Sequence, residues 1–263
     1  MFSTTLPQPR PPILPMLLPY GVALTIFATA AAQTSSLPPP EQTEIWEPAV
    51  KVVQATVNRP PSDAIVLFDG SSIDAWTNTR PKAKSWVIED GAFLPVTGAG
   101  NVRTNQSFGD IQLHLEFRTP AEVSGTGQGR GNSGVLFMGR YELQILDSYE
   151  NPTYINGQAA SIYKQHIPLV NASRPPGQWQ SFDVIFIAPR FQSDGKLLTA
   201  GRMTVFHNGV LVQHDVKIQG TTVHRGFAAY VPHPEREPLA LQFHSNAVAF
   251  RNIWVRELTL PKR

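Results

Sequence analysis

From residue 64 onward the chain is a succession of apolar runs of four to eight residues punctuated by Gly, Pro, Asn and Asp, and within many runs apolar and polar residues alternate. That period of two is the signature of β-strands with one buried face. Strands are predicted over 64–68 (AIVLF), 85–96 (turning at Asp90-Gly91), 110–119, 133–138, 140–146, 180–188, 202–208, 210–218, 238–244 and 249–258. Asn208-Gly209 between two alternating runs is a strong hairpin signal, because a tight turn needs the positive φ that Asn and Gly accept. No segment shows an apolar period of 3.6, and no internal repeat is found. About ten antiparallel strands predict an all-β fold, a two-sheet antiparallel sandwich of jelly-roll type, with a closed barrel as the alternative.

Alternation also assigns faces. In 111–118 the residues Ile111, Leu113, Leu115 and Phe117 oppose Gln112, His114, Glu116 and Arg118. In 140–146 Tyr141, Leu143 and Ile145 oppose Arg140, Glu142 and Gln144, and in 239–244 Leu239, Leu241 and Phe243 oppose Gln242 and His244. A solvated sheet face is more often Lys, Thr and Ser. Three strands carrying His, Glu, Arg and Gln instead point to a polar cleft. Asp147 follows the second of these strands, and regular alternation sends it to the core side unless the strand bulges or ends first. The loop SGTGQGRG (124–131) neither follows a strand nor opens a helix and has no Lys-Ser/Thr pair, so it reads as a mobile lip beside the cleft rather than a phosphate cradle.

The N-terminal region is different. Residues 1–32 hold one basic residue, Arg10, no acid, and a short apolar core ending at Ala30 and Ala32, which predicts a signal peptide cleaved before Gln33. Pro15 and Pro19 argue against a full membrane span, and an uncleaved anchor is the alternative. The protein is thus expected to be exported, periplasmic or extracellular, with no stable membrane insertion after cleavage. Residues 33–63 read as a proline-rich linker and N-terminal arm, and 64–260 as the sandwich domain. The chain has no cysteine, which excludes disulfides and thiol chemistry. Its 22 basic and 20 acidic residues, interspersed, give no footprint for nucleic acid.

The blocks VLFDGSSIDAW (66–76), WVIEDGAFLPV (86–96), FGDIQLHLEFR (108–118), GNSGVLFMGRYELQILDSY (131–149), NASRPPGQWQSFDVIFIAPRF (171–191), VFHNGVLV (205–212) and LQFHSNAVAFRNIWVREL (241–258) occur in order. Together they resemble the 3-keto-disaccharide hydrolase family, over about residues 64–258. The resemblance implies a concanavalin A-like sandwich, related in shape to laminarinase-type glycosidases, and a saccharide or glycoside substrate already oxidised at sugar carbon 3. A ketone there acidifies the proton on carbon 2, so a base can remove it and the glycosidic oxygen on carbon 1 can leave by elimination, with later hydration giving net hydrolysis. Such a site needs a base, a stabiliser for the enolate oxygen and a proton donor for the leaving group. The resemblance also allows a divalent metal cation as the stabiliser.

Glu142 and His244 are the leading candidates for base and acid, with Glu116 as a second acid or a ligand; its alternative is an ion pair with Arg118 or Arg140. Arg140 is placed to hold the keto or enolate oxygen, Gln144 and Gln242 to bind hydroxyls, and Asn132 to present its amide to sugar or to serve the turn after the glycine-rich loop. Arg251 either faces substrate or pairs with an acid. Asp147 either joins Glu142 as a metal ligand or caps the turn that follows it. Two other readings stay open. One is a laminarinase-like retaining glycosidase, for which Glu142, Gln144 and Asp147 loosely match a three-position strand motif but with Gln where an acid is wanted. The other is a non-catalytic carbohydrate-binding module, since the fold alone does not set function.

Overall fold

The structure, a computed structural model, describes residues 37–57 and 59–259. The predicted signal peptide lies outside the described residues. The chain divides into two units, Met1–Lys51 and Val52–Arg263. The described part of the first is exposed throughout and carries one 3-10 turn, Pro40–Thr43.

The described part of the second unit carries fifteen strands. In chain order they are β1 (Ile65–Phe68), β2 (Trp76–Asn78), β3 (Val87–Glu89), β4 (Ala92–Leu94) and β5 (Val102–Phe108). Then come β6 (Ile111–Arg118), β7 (Ser133–Phe137), β8 (Tyr141–Ile145), β9 (Gln180–Ile187) and β10 (Arg190–Phe191). The last are β11 (Leu197–Thr199), β12 (Arg202–His207), β13 (Val210–Lys217), β14 (Glu237–Leu241) and β15 (Ala249–Glu257). One sheet runs β13-β12-β9-β6-β15-β4-β3, with β1 also paired to β15; the other runs β2-β5-β14-β7-β8. All strand ladders are antiparallel, so the fold is a two-sheet jelly-roll sandwich of concanavalin A-like class, not a closed barrel.

The two sheets close over one core. Leu113, Leu115 and Phe117 of β6 and Phe186 of β9 share it with Phe137 of β7 and Tyr141, Leu143 and Ile145 of β8. Phe137 and Phe186 meet across the layers with ring centroids 4.8 Å apart. Each such side chain contributes roughly 1.5–3 kcal/mol on burial, which is why a one-residue slip in any strand is strongly disfavoured. Both tight hairpins read from sequence form: Asp90-Gly91 joins β3 to β4 and Asn208-Gly209 joins β12 to β13, all four residues at positive φ.

Four strands escape the alternation pattern: β2, β5, and the short β10 and β11, which pair with each other as a separate two-stranded sheet. β2 is only three residues long. β5 offers Val102 and Phe108 at its ends with Thr104 as its central buried residue. Thr104 is accommodated because its hydroxyl accepts from the Leu239 N–H (3.1 Å) and donates to the Gln106 carbonyl (2.6 Å).

The same packing corrects the expectation of a single cleft. β6 and β8 both turn their apolar faces inward, so their polar faces lie on opposite outer sides of the sandwich. The polar face of β6 therefore sits on the far side of the core from Glu142 and Gln144.

Candidate active site

The site is built on the outer face of the five-stranded sheet. Its floor comes from alternate residues of three adjacent segments: Asn132 and Leu136 on and before β7, Glu142 and Gln144 on β8, and Gln242 and His244 just beyond β14. Arg140, Gly139, Tyr163, Thr221, Thr222 and His224 complete a cavity of about 350 Å³, at the low end of the roughly 300–1,000 Å³ typical of small-molecule sites.

β8 is buried on both faces. Its outer edge is closed by residues 160–163: the Gln144 N–H donates to the Ser161 carbonyl (3.0 Å) and the Tyr163 N–H to the Glu142 carbonyl (3.1 Å). The 221–224 loop docks beside it, with the Thr222 N–H donating to the Arg140 carbonyl (2.9 Å) and the Glu142 N–H to Thr222 Oγ1 (3.0 Å). These backbone bonds turn an edge strand into the middle of a wall.

Among the described residues Glu142 is the only carboxylate lining the cavity, and it is 6% exposed. No basic side chain pairs with it among those residues; burial alone pushes its carboxyl up to about 7. Gly134 makes room for it. A β-carbon at Gly134 would lie 2.7 Å from Glu142 Oε1 and 3.1 Å from its Cγ. Tyr163 is held above the ordinary phenol range by burial and by its bond to Tyr154, 2.7 Å between hydroxyls, so it remains a neutral O–H donor. His224 Nδ1 stands 3.5 Å from the Tyr163 hydroxyl. Two cavity-lining oxygens, Gln242 Oε1 and Thr221 Oγ1, are buried without a hydrogen-bond partner, which is the state expected of groups that wait for a ligand's hydroxyls.

Asn132, Gln242 and His244 fall where alternation puts them, in the cavity with Glu142. His244 is at its rim, exposed. Asn132 also serves the turn: its N–H donates to Asn246 Oδ1 (2.8 Å) and its Nδ2 to the Gln128 carbonyl (2.7 Å). Arg140 lines the cavity, but its guanidinium is ion-paired with Glu237, so it is not a free cation for an enolate. Gln144 is 1% exposed, and its amide is spent on neighbours rather than offered to hydroxyls.

Glu116 and Arg251 are not in the site. They pair with each other at 2.6 Å on the outer face of the eight-stranded sheet, where Asn252 also donates to Glu116 (3.0 Å) and Arg251 lies over the Trp179 ring (4.2 Å). With the sandwich core between them and Glu142, neither touches its cavity. Glu116→Gln is accordingly expected to leave turnover unchanged while Glu142 variants abolish it, measured side by side on the same substrate.

β8 ends at Ile145, before Asp147. Freed from the strand, Asp147 turns away from Glu142 to accept from Arg130 Nε (2.6 Å) and from the Tyr149 N–H (3.2 Å). It is a loop anchor and turn cap. Arg130 also donates to the Tyr149 carbonyl (2.9 Å), and Asn151 holds the Gly127 N–H (2.8 Å), so the glycine-rich loop is tied down at several points rather than left as a free lip. Asp147→Asn leaves a mostly buried guanidinium uncompensated; a loss of roughly 3–5 kcal/mol is expected, seen as a lower urea midpoint. A metal pair of Glu142 and Asp147 does not fit this arrangement, because Asp147 is already neutralised by Arg130. Among the described residues no group of three His, Asp or Glu side chains is placed to hold a metal ion.

Sequence reasoning passed over His224, Thr221 and Thr222. The available signal was the length of the β13–β14 connection, residues 218–236, since long loops in compact domains are usually functional.

A two-sheet sandwich with a buried, unpaired carboxylate in a polar pocket on one outer face is the class this geometry defines. The chain matches the 3-keto-alpha-glucoside-1,2-lyase-like domain over residues 63–256 and belongs to that family. It is 44% identical to a protein of Parabacteroides distasonis ATCC 8503 provisionally assigned as a glycosyl hydrolase. The crystal structure of that protein superposes with a TM-score of 0.80 over 84% of this chain and 97% of its own. A second protein of that organism, with the same provisional assignment, shares the fold at 18% identity and a TM-score of 0.55, covering 74% of this chain and 94% of its own. No curated protein matches the chain. Among the described residues no helix is long and apolar enough to cross a membrane.

Proposed function

We propose that the protein cleaves 3-keto-glycosides by abstraction of the carbon-2 proton and elimination of the carbon-1 substituent, with Glu142 as the base. Family membership and the Parabacteroides relative support a carbohydrate-active, glycoside-cleaving protein; the observation that carries the finer reading is Glu142 itself. A carboxylate buried alone, with its proton affinity raised to about 7, is matched to a weakly acidic carbon acid at neutral pH.

The reaction balances without a second carboxylate. The carbon-2 proton passes to Glu142, and the electron pair of that bond moves into the enolate whose oxygen is the former ketone at carbon 3. Collapse of the enolate forms the carbon 1–carbon 2 double bond and breaks the bond from carbon 1 to the glycosidic oxygen. That oxygen takes a proton from an acid at the rim, for which His244 and His224 are the candidates. The neutral Tyr163 hydroxyl is the donor suited to the enolate oxygen. Conjugate addition of water, with oxygen to carbon 1 and a proton to carbon 2, completes net hydrolysis. A retaining glycosidase requires two carboxyl groups about 5–5.5 Å apart, and among the described residues Glu142 has no partner of that kind in the cavity. Export rests on the leader pattern of residues 1–32 and is part of the same proposal.

The test is to incubate the protein in deuterated water with a 3-keto-glucoside and, separately, with the unoxidised glucoside, with and without chelator. Exchange at carbon 2 and leaving-group release from the keto compound alone support the reading. Release from the unoxidised glucoside at a comparable rate overturns it.

A further inference from the structure

Asp147, turned away from Glu142, lines a second cavity. β7, β8 and β14 are antiparallel neighbours, with Ser133 opposite Ile145 and Val135 opposite Leu241. Residues 129–131, 147 and 245–247 therefore gather beyond one end of the same sheet, and residues just past β6 complete the lining. The space is about 210 Å³. A stand-alone small-molecule site is usually larger than roughly 300 Å³, but this one does not stand alone. Gly131 runs directly into Asn132, and Ser245 follows His244, so two walls of the Glu142 cavity continue as walls of the second. Asn132, His244 and Asn246 form the boundary: the Asn132 N–H donates to Asn246 Oδ1 (2.8 Å), and Asn246 Nδ2 donates to the His244 carbonyl (3.2 Å).

The lining suits a neutral polyol. Arg130 and Asp147 balance each other's charge at 2.6 Å. Arg130 Nε is taken by Asp147 and Nη2 by the Tyr149 carbonyl, which leaves Nη1 without a hydrogen bond among the described residues. A guanidinium nitrogen can only donate, so Nη1 calls for an acceptor such as a hydroxyl oxygen. The hydroxyls of Ser124 and Ser245 stand on the same lining. Glu122 adds a negative charge there that disfavours an anionic guest. No aromatic side chain lines the space, so an aryl group finds no ring to stack against.

We propose that the second cavity is the subsite for the departing half of the substrate, a neutral sugar unit, and that His244, on the boundary between the two cavities, is the acid that protonates it. The proposal rests on the reading of the Glu142 cavity as the place where the keto sugar is cleaved. It separates the two candidate acids. His244 adjoins the second cavity, whereas His224 belongs to the 221–224 loop, no residue of which lines it. The imidazolium proton of His244 passes to the glycosidic oxygen as the bond from carbon 1 to that oxygen breaks. The neutral imidazole regains a proton from water, which its exposed position allows. The Arg130–Asp147 pair and the end of the glycine-rich loop thereby acquire a part in substrate selection.

The experiment compares three compounds carrying the same 3-keto-glucosyl unit: a disaccharide with glucose as leaving group, the methyl glycoside and the 4-nitrophenyl glycoside. Ser124→Phe and Ala247→Phe, both at exposed positions, each place a ring in the second cavity. In each variant the ratio of kcat/KM for the disaccharide to that for the methyl glycoside is expected to fall about tenfold or more, the worth of one or two lost hydrogen bonds. A merely structural effect would lower both alike and leave the ratio in place. His244→Gln is expected to lose about 100-fold or more on the disaccharide and less than about tenfold on the nitrophenyl compound, whose leaving group departs without a proton. His224→Gln is expected to show no such dependence on the leaving group. An unchanged ratio in both folded obstructing variants, or a His244→Gln loss equal on all three compounds, overturns the proposal while the functional reading stands. A wild type that cleaves none of the three overturns both.

Discussion

Glu142→Gln is expected to eliminate carbon-2 proton exchange and, in the same protein, to raise stability above neutral pH. Loss of a general base costs roughly 100- to 10,000-fold, and among the described residues no second carboxylate lines the cavity to take over. The stability effect follows from linkage. The folded-state value of about 7 lies above the ordinary 4.5, so between those limits the folded protein binds the extra proton. Stability tied to this group is fully present below pH 4.5 and declines as pH rises through about 7. Above that the buried, ionised carboxylate weakens the fold by about 3 kcal/mol relative to the acid form. The amide that replaces it in the variant never ionises. Urea unfolding of the two proteins should therefore diverge with rising pH, the variant being the more stable, and converge near pH 4. Equal midpoints at pH 9 would mean that Glu142 is not desolvated as described. A group that lowers stability at working pH is what a functional site, rather than a packing requirement, retains.

The second large effect is expected from Gly134→Ala. Gly134 lies in β7, directly across from Gln144 and diagonal to Glu142, and its backbone is ordinary strand, so the substitution carries no φ penalty. The added methyl collides with Glu142 instead, 2.7 Å from Oε1. Because Glu142 is enclosed by residues 160–163 and 221–222, its carboxyl must tilt rather than swing into water. A displacement approaching 1 Å at a reacting group costs on the order of 100-fold in rate, and overpacking costs about 1–3 kcal/mol. The two variants thus lose activity with opposite changes in stability at high pH. Gly134→Ala with native turnover would show that the carboxyl does not act from the position seen here.

Much of the architecture was legible because a half-buried strand writes itself in period two. In β6 and β8 every residue assigned inward by alternation is buried, and the Asp90-Gly91 and Asn208-Gly209 turns carry their own backbone requirement. β5 was not legible, since a buried threonine satisfied by Leu239 and Gln106 looks in sequence like any polar residue. Within the site, Asn132, Glu142, Gln144, Gln242 and His244 were found from the same alternation.

What alternation cannot tell is which side of the molecule a polar face occupies. Glu116 and Glu142 sit on strands with the same one-sided pattern, yet they lie on opposite exteriors, because two sheets that share a core must point their other faces apart. The sequence by itself determined most of the long strands, their faces and the residue types on them, all consequences of local geometry and apolar burial. Only the tertiary structure decided that Asp147 answers to Arg130, that Arg140 is occupied by Glu237, that His224 and Tyr163 join the cavity, and that Glu142 is left alone in it. Those pairings join residues 17 to 97 positions apart, and a charge is compensated or stranded according to what the fold brings beside it.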